Sequence, residues 1–371
     1  MSIYGEAEFA FASLKIITIV GLIIFAFLID VGAGPGGPIG FRYWHHPGAM
    51  AEVYTTGSTG RFAGLFSTFV GAAFSYGGVE TVAVAAGEAA NPRRNIPRAV
   101  KRVFFRIMFF YVLGSLAVGV LVPYTDPLLH EAKGANASPW VIAIQNAGVK
   151  GLPSVINAVL VTSASSAANA DLYNGSRYLY SLAQTGHAPR IFLKCTKKGI
   201  PIYAIGLTAL FLPLTYMSVA SGPGTVFNYL ANITTLGNLI TWCSVIVSYI
   251  RFRAGLKAQG VDRSTFKFRA TGPQPLIAYL ALAYFGVIII FSGFGLFVHG
   301  EWSTPDFIVD YIGIPIYFAC FFGWKLFAKT KFVSADKMDL YTGKAAIDRE
   351  EMEYVEVPPK NFVEKIWNHI A

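Results

Sequence analysis

Phe74-Ser75-Tyr76-Gly77-Gly78-Val79-Glu80 decides how this chain is read. It sets two consecutive glycines and a carboxylate inside a stretch that is otherwise apolar from about Phe62 to Ala86. A run of that length is a candidate bilayer span. Glycine is a poor helix former, and an ionised Glu in hydrocarbon costs roughly 2.5 to 3.5 kcal/mol on insertion scales. A spanning helix that keeps both features is expected to break near Ser75–Val79 and to line a cavity, where unwound backbone meets water or a ligand. The competing reading is a kinked bundle helix whose Glu80 points at a neighbour.

Composition agrees with a membrane setting. The chain has 371 residues, of which 54% are apolar and 14% charged, and its mean hydropathy is +0.49. Soluble domains carry about 25% charged residues, so a polytopic membrane protein is expected. The three cysteines, Cys195, Cys243 and Cys320, are far apart and odd in number. They support neither a disulfide framework nor a zinc site. His45 and His46 stand side by side with no Cys or carboxylate at ligand spacing, and read as surface residues. No metal and no cofactor are expected. The first apolar stretch begins near Phe9, lacks a basic leader and is too long for a signal-peptide core, so it reads as a retained span.

Hydropathy predicts eight helical spans, at roughly Phe9–Ile29, Phe62–Ala86, Val103–Val122, Leu152–Ser181, Ile202–Val219, Val226–Ile250, Leu276–Val298 and Phe307–Phe327. Asp30–Gly60, rich in Gly and Pro, is expected to be a long loop. Basic residues alternate between the connections. Arg93, Arg94, Arg98, Lys101, Arg102 and Arg106 follow the second span, Arg190, Lys194, Lys197 and Lys198 the fourth, and Arg251, Arg253, Lys257, Arg263, Lys267 and Arg269 the sixth. The other connections hold Arg42, Arg61, Lys133 and Lys150. The positive-inside rule places the three basic loops and both ends of the chain in the cytosol. The formal net charge of +9 is thereby a topology signal with membrane-lipid headgroup contacts, and nucleic-acid binding is not expected. Residues 1–327 form the expected transmembrane domain and 328–371 a cytosolic tail. Phe362, Val363, Ile366 and Trp367 near its end recur at helical spacing, which suits either an amphipathic surface helix or a loose apolar end.

Three cytosol-proximal stretches carry a family resemblance. Ala86-Gly87-Glu88-Ala89-Ala90-Asn91-Pro92-Arg93-Arg94-Asn95-Ile96-Pro97-Arg98-Ala99 closes the second span. Ser163-Ala164-Ser165-Ser166-Ala167-Ala168-Asn169-Ala170-Asp171-Leu172-Tyr173 leads into Ser176-Arg177-Tyr178-Leu179-Tyr180-Ser181-Leu182-Ala183 on the fourth. Gly186-His187-Ala188-Pro189-Arg190 and Lys198-Gly199-Ile200-Pro201 follow. Together they resemble the fungal amino acid permeases of the amino acid–polyamine–organocation superfamily, over nearly the whole chain. The resemblance implies an all-α membrane protein of the five-plus-five inverted-repeat fold, in which helices one and six of twelve are broken around a central substrate site. By motif the eight spans here correspond to helices five to twelve, and helices one to four have no counterpart.

The same resemblance implies secondary active transport of amino acids, coupled to protons, across the plasma membrane. Substrate-binding residues would be Phe74, as the aromatic closing over substrate, with Ser75, Tyr76, Gly77 and Gly78 lining the pocket. Carbonyls freed at the break suit the ammonium group of an amino acid. Glu80 matches the family's helix-six acid, suited to gating or protonation, although a static hydrogen bond to a neighbouring helix fits equally. Lys15 matches the helix-five lysine that stands where sodium sits in sodium-coupled relatives; a lysine snorkelling to the interface is the alternative. Asn157, Ser163, Ser166 and Asn169 form a polar stripe, and Asn232, Thr234 and Thr235 another, each suited to helix packing or to substrate contact. Asp171 and Arg177 suit an inner gate or a structural ion pair. The residues present no phosphate loop and no nucleophile–base arrangement, so an enzyme is not expected. The alternative to a carrier is a truncated, non-transporting membrane protein acting as scaffold or sensor, or an incomplete gene model.

Overall fold

The computed structural model describes residues 2–84, 91–131, 138–217, 223–266, 269, 272–298 and 300–353. Ala86–Ala90 of the motif after the second expected span and the apolar positions Phe362, Val363, Ile366 and Trp367 lie outside them. Every regular element among the described residues is helical. In chain order the α-helices are α1 (Ser2–Leu28), α2 (Gly57–Ser75), α3 (Thr81–Val84), α4 (Pro92–Leu121), α5 (Leu128–Glu131), α6 (Pro139–Asn146), α7 (Leu152–Gln184), α8 (Ile202–Ala209), α9 (Pro223–Ala258), α10 (Leu276–Ile290), α11 (Thr304–Tyr311), α12 (Gly313–Phe327) and α13 (Lys344–Glu353).

Three of the described helices are long and apolar enough to cross a bilayer: α1 with the turn that extends it to Ala33, α4, and α9. The pair α11 and α12, bent by 42° where they meet, makes a fourth if counted as one span. This is fewer than the eight expected, and each difference has a local cause. The second expected span is interrupted at Tyr76–Glu80. The fourth, α7, runs for 33 residues but carries Ser163, Ser165, Ser166, Asn169 and Asp171, which dilute its apolar character. The fifth gives way after Ala209 to a 3₁₀ segment, Leu212–Met217. The seventh, α10, has 15 residues and therefore rises about 22 Å, short of a hydrocarbon core of roughly 30 Å.

The helices pack in two sets. In one, α1 lies against α4 and α7, α6 against α4 and α7, and α8 against α7. In the other, α9 is the hub, touching α2, α10, α11 and α12. The first set closes over α6, whose Val141, Ile142, Ala143 and Ile144 are all buried. Ala26 and Ile29 from α1 and its extension, with Leu121 and Val122 at the end of α4, pack on Ile142 and Ala143. Leu22 and Ile156 cover Val141 and Ile144. The second set meets at Ala73, Leu239 and Ile288, one residue each from α2, α9 and α10. Because α2 belongs to the second set while α3 packs on α4 and α7, the chain crosses between the sets at the interruption itself.

The tail is bound to the basic face. Arg251 of α9 donates to the Val333 carbonyl at 2.6 Å, and Gln259 Nε2 donates to the Met338 carbonyl at 2.8 Å. Farther on, Arg93 at the start of α4 pairs with Asp348 and, at 3.1 Å, with Glu351 of α13. Arg93, read from sequence as a topology and headgroup residue, thus meets carboxylates of this same chain, since the tail returns across the N-terminal end of α4.

Candidate functional site

The interruption has a specific geometry. Helix α2 ends at Ser75, and Tyr76 N–H reaches back to the carbonyls of Ala72 and Ala73. Gly77 N–H donates to Phe74 O at 3.0 Å. Gly78 then takes φ +89°, a region that side-chain-bearing residues rarely adopt. Its carbonyl accepts both Thr81 N–H at 3.0 Å and Thr81 Oγ1 at 2.6 Å, which starts α3. Gly77 is required for another reason. A Cβ built there would lie 2.6 Å from Asn238 Nδ2 of α9, so the absence of a side chain lets that amide sit against the backbone.

Two neighbouring helices, α4 and α9, hold the break. Tyr111 of α4 donates its hydroxyl to the carbonyl of Ser75 at 2.7 Å, and its ring meets that of Tyr76 edge-on at 5.2 Å. Trp242 of α9 donates its indole N–H to Glu80 Oε2 at 2.9 Å. The hydrogen bond to a neighbouring helix, one of the two readings of Glu80, is therefore present. Phe74 packs edge-on against Phe227 of α9 at 6.2 Å.

The break is open on one side. Phe74 and Tyr76 retain 39% and 38% of their exposure, and Ser75, Gly77 and Gly78 are also exposed. Sequence reasoning expected these residues to line a cavity. Helix α2 packs mainly on α9, and its Phe66 and Phe69 also meet Phe291, Phe294 and Tyr284 in and just after α10. A neighbouring cavity of about 390 Å³ is bounded by Ser67, Val70 and Gly71 of α2, Asn232 of α9, and Asp306 and Asp310 of α11. Asn232 donates to Asp310 Oδ1 at 2.9 Å, whereas Thr234 and Thr235 turn their hydroxyls to carbonyls four residues back on α9.

Lys15 lies away from the break, between α1 and α7. Its ammonium donates to Ser166 Oγ at 2.9 Å, and Ser166 in turn donates to Glu8 Oε1 at 2.6 Å. Its head is tied to a serine that is 1% exposed. The structure thus brings Phe74 to Glu80 together and keeps Lys15 separate, on the first helix set. Arg177 places its guanidinium over the ring of Tyr173 at 4.4 Å, beside a cleft that also includes Asn169, Ser176 and Lys198.

Sequence reasoning missed Tyr111, Asn238, Trp242 and Glu8. The first three carried no signal, being single polar or aromatic residues in apolar helices. Glu8 had one: it precedes Lys15 by seven residues, two helical turns, and so shares its face.

A chain whose described elements are all helical, with bilayer-length apolar helices and a polar break between two packed sets, defines the class: an integral, multi-pass membrane protein with a discontinuous helix. Comparison with known proteins narrows this. The amino acid permease family matches residues 1–337. The chain is 41% identical over 378 residues to the proline-specific permease of Saccharomyces cerevisiae, covering 98% of this chain and 60% of that protein. It is 41% identical over 357 residues to the dicarboxylic amino acid permease of the same yeast, covering 94% and 59%, and 40% identical over 378 residues to its lysine-specific permease, covering 100% and 61%. The chain belongs to the amino acid permease family, a family of carriers and not of enzymes. It spans about 60% of the length of these relatives.

Proposed function

We propose that this chain contributes to the secondary active transport of an amino acid, driven by protons, in the plasma membrane. The observation that carries the reading is the interrupted helix at Tyr76–Glu80 within a permease-family chain. On this reading the eight segments correspond to helices five to twelve of the inverted-repeat fold, residues 1–327 being the transmembrane part and the rest a cytosolic tail. The exposed backbone of Ser75, Tyr76, Gly77 and Gly78 meets the substrate's ammonium group, and Phe74 closes over it. Carbonyl dipoles at a helix end favour a cation without requiring a buried carboxylate. Glu80, held by Trp242, gates the site, and Lys15 exchanges the coupling proton. The relatives' names include proline, dicarboxylic amino acid and lysine permeases, so the shared chemistry is the amino acid backbone, and the side-chain end differs among them.

The second reading, a non-transporting membrane scaffold, is favoured by the exposure of Phe74–Gly78. Uptake separates the two. The chain is produced in cells that lack their own amino acid carriers and given labelled proline, lysine or glutamate. The transport reading expects accumulation of at least one, abolished by a protonophore. No uptake of any of the three leaves the scaffold.

A further inference from the structure

We infer that Glu8 is the second member of a proton station formed with Lys15 through the hydroxyl of Ser166. The inference rests on the transport reading in assigning Lys15 a proton. Everything else in it comes from the packing of α1 on α7.

Glu8 and Lys15 are two turns apart on α1, so their Cα atoms are separated by about 10 Å along the axis. They meet at one atom of another helix. Ser166 Oγ receives a hydrogen bond from Lys15 Nζ at 2.9 Å and gives one to Glu8 Oε1 at 2.6 Å. Ser166 itself is buried, 1% exposed, while Glu8 and Lys15 are half-buried. A hydroxyl both donates and accepts, which makes it a conductor between the two groups.

A proton shift along this line balances without any other reactant. An N–H bond of Lys15 breaks and its proton bonds to Ser166 Oγ. The original Ser166 proton moves to Glu8 Oε1, forming a carboxylic acid. Ammonium and carboxylate become amine and acid, with no change in total charge or atoms.

The other carboxylate oxygen marks the exit. Glu8 Oε2 is buried and has no hydrogen-bond partner among the described residues. Buried polar atoms are nearly always satisfied. An acceptor left open on the far side of the bridge is what a relay needs to pass its proton to an incoming water or side chain.

The test uses the whole chain reconstituted in vesicles, with a pH-sensitive dye inside and labelled amino acid outside. Glu8→Gln is expected to lose proton entry with substrate while keeping exchange of labelled for unlabelled substrate. Ser166→Ala should show the same loss, and Ser166→Thr, which keeps the hydroxyl, should restore proton entry. Wild-type proton entry in Glu8→Gln, or in Ser166→Ala, overturns the station. Where Glu8→Gln does not fold, the serine pair decides.

If the wild-type chain moves no amino acid, the transport reading fails, and the bridge is judged by infrared spectra of the membranes. The expected result is a Glu8 carboxyl band, identified by its loss in Glu8→Gln, that shifts in Ser166→Ala and returns in Ser166→Thr. A Glu8 band that Ser166→Ala leaves in place overturns the inference.

Discussion

Gly77 and Gly78 adjoin in sequence but are required for different physical reasons, and substitution separates them. At Gly77 the obstacle is a neighbour: an alanine Cβ would meet Asn238 Nδ2 at 2.6 Å and Phe74 O at 3.1 Å. Gly77→Ala is expected to destabilise the protein by about 1–3 kcal/mol, the usual cost of overpacking. Asn238→Ala in the same chain should return part of that loss, since contacting residues couple by roughly 0.5–3 kcal/mol. At Gly78 the obstacle is the backbone, which holds φ +89°, whereas an alanine Cβ there would meet nothing nearer than Thr81 Cγ2 at 4.0 Å. Gly78→Ala should cost about 1–2 kcal/mol, and Asn238→Ala should recover none of it. Thermal unfolding in detergent measures all four variants; equal rescue of both glycine variants would refute the distinction. The glycine pair and Glu80 were legible in the sequence as departures from an apolar run. Asn238 was not, because only the packing of α9 on α2 brings its amide to that backbone.

Among the elements, α13 offers the clearest test, because its docking is electrostatic. Asp348 accepts from Lys344 at 2.7 Å and pairs with Arg93. The Lys344 ammonium first, and the Arg93 guanidinium after it, hold the Asp348 carboxyl below its usual range. A carboxylate with a native pKa below its unfolded value adds stability that is complete above the unfolded value, about 3.9. That stability is lost as pH falls through the lower native value. Acidification should therefore release α13 only below the ordinary aspartate range, whereas Asp348→Asn should weaken its docking at neutral pH. Hydrogen exchange across Lys344–Glu353, corrected for the intrinsic effect of pH on rate, reads both. Unchanged protection in Asp348→Asn would mean that the clasp does not hold this helix. Sequence showed a mixed-charge tail with Lys344 four residues before Asp348, but Arg93, the partner that docks the helix, lies 255 residues away in the chain, and no local pattern links the two.

For the whole molecule, orientation is the property most exposed to test. Cys195 is a free, exposed thiol in the loop that also carries Arg190, Lys194, Lys197 and Lys198. If that loop is cytosolic, as its basic residues require, an impermeant maleimide should label Cys195 in permeabilised cells and not in intact ones. Labelling of intact cells would invert the topology. Long-range charge alternation and the apolar character of α1, α4 and α9 are properties of composition along the chain, and the sequence by itself determined them: a helical membrane protein, its expected orientation, and a weak point at Gly77-Gly78. The tertiary structure alone decided that the chain crosses between two helix sets at that weak point. It also decided that Tyr111 and Trp242, from two different helices, hold the break, and that Glu8 reaches Lys15 through a serine on another helix. The physical reason is range. Hydropathy and backbone propensity act over a few neighbouring residues, whereas a hydrogen bond between helices depends on the angle and depth at which two distant segments pack, which the summed contacts of the whole bundle set.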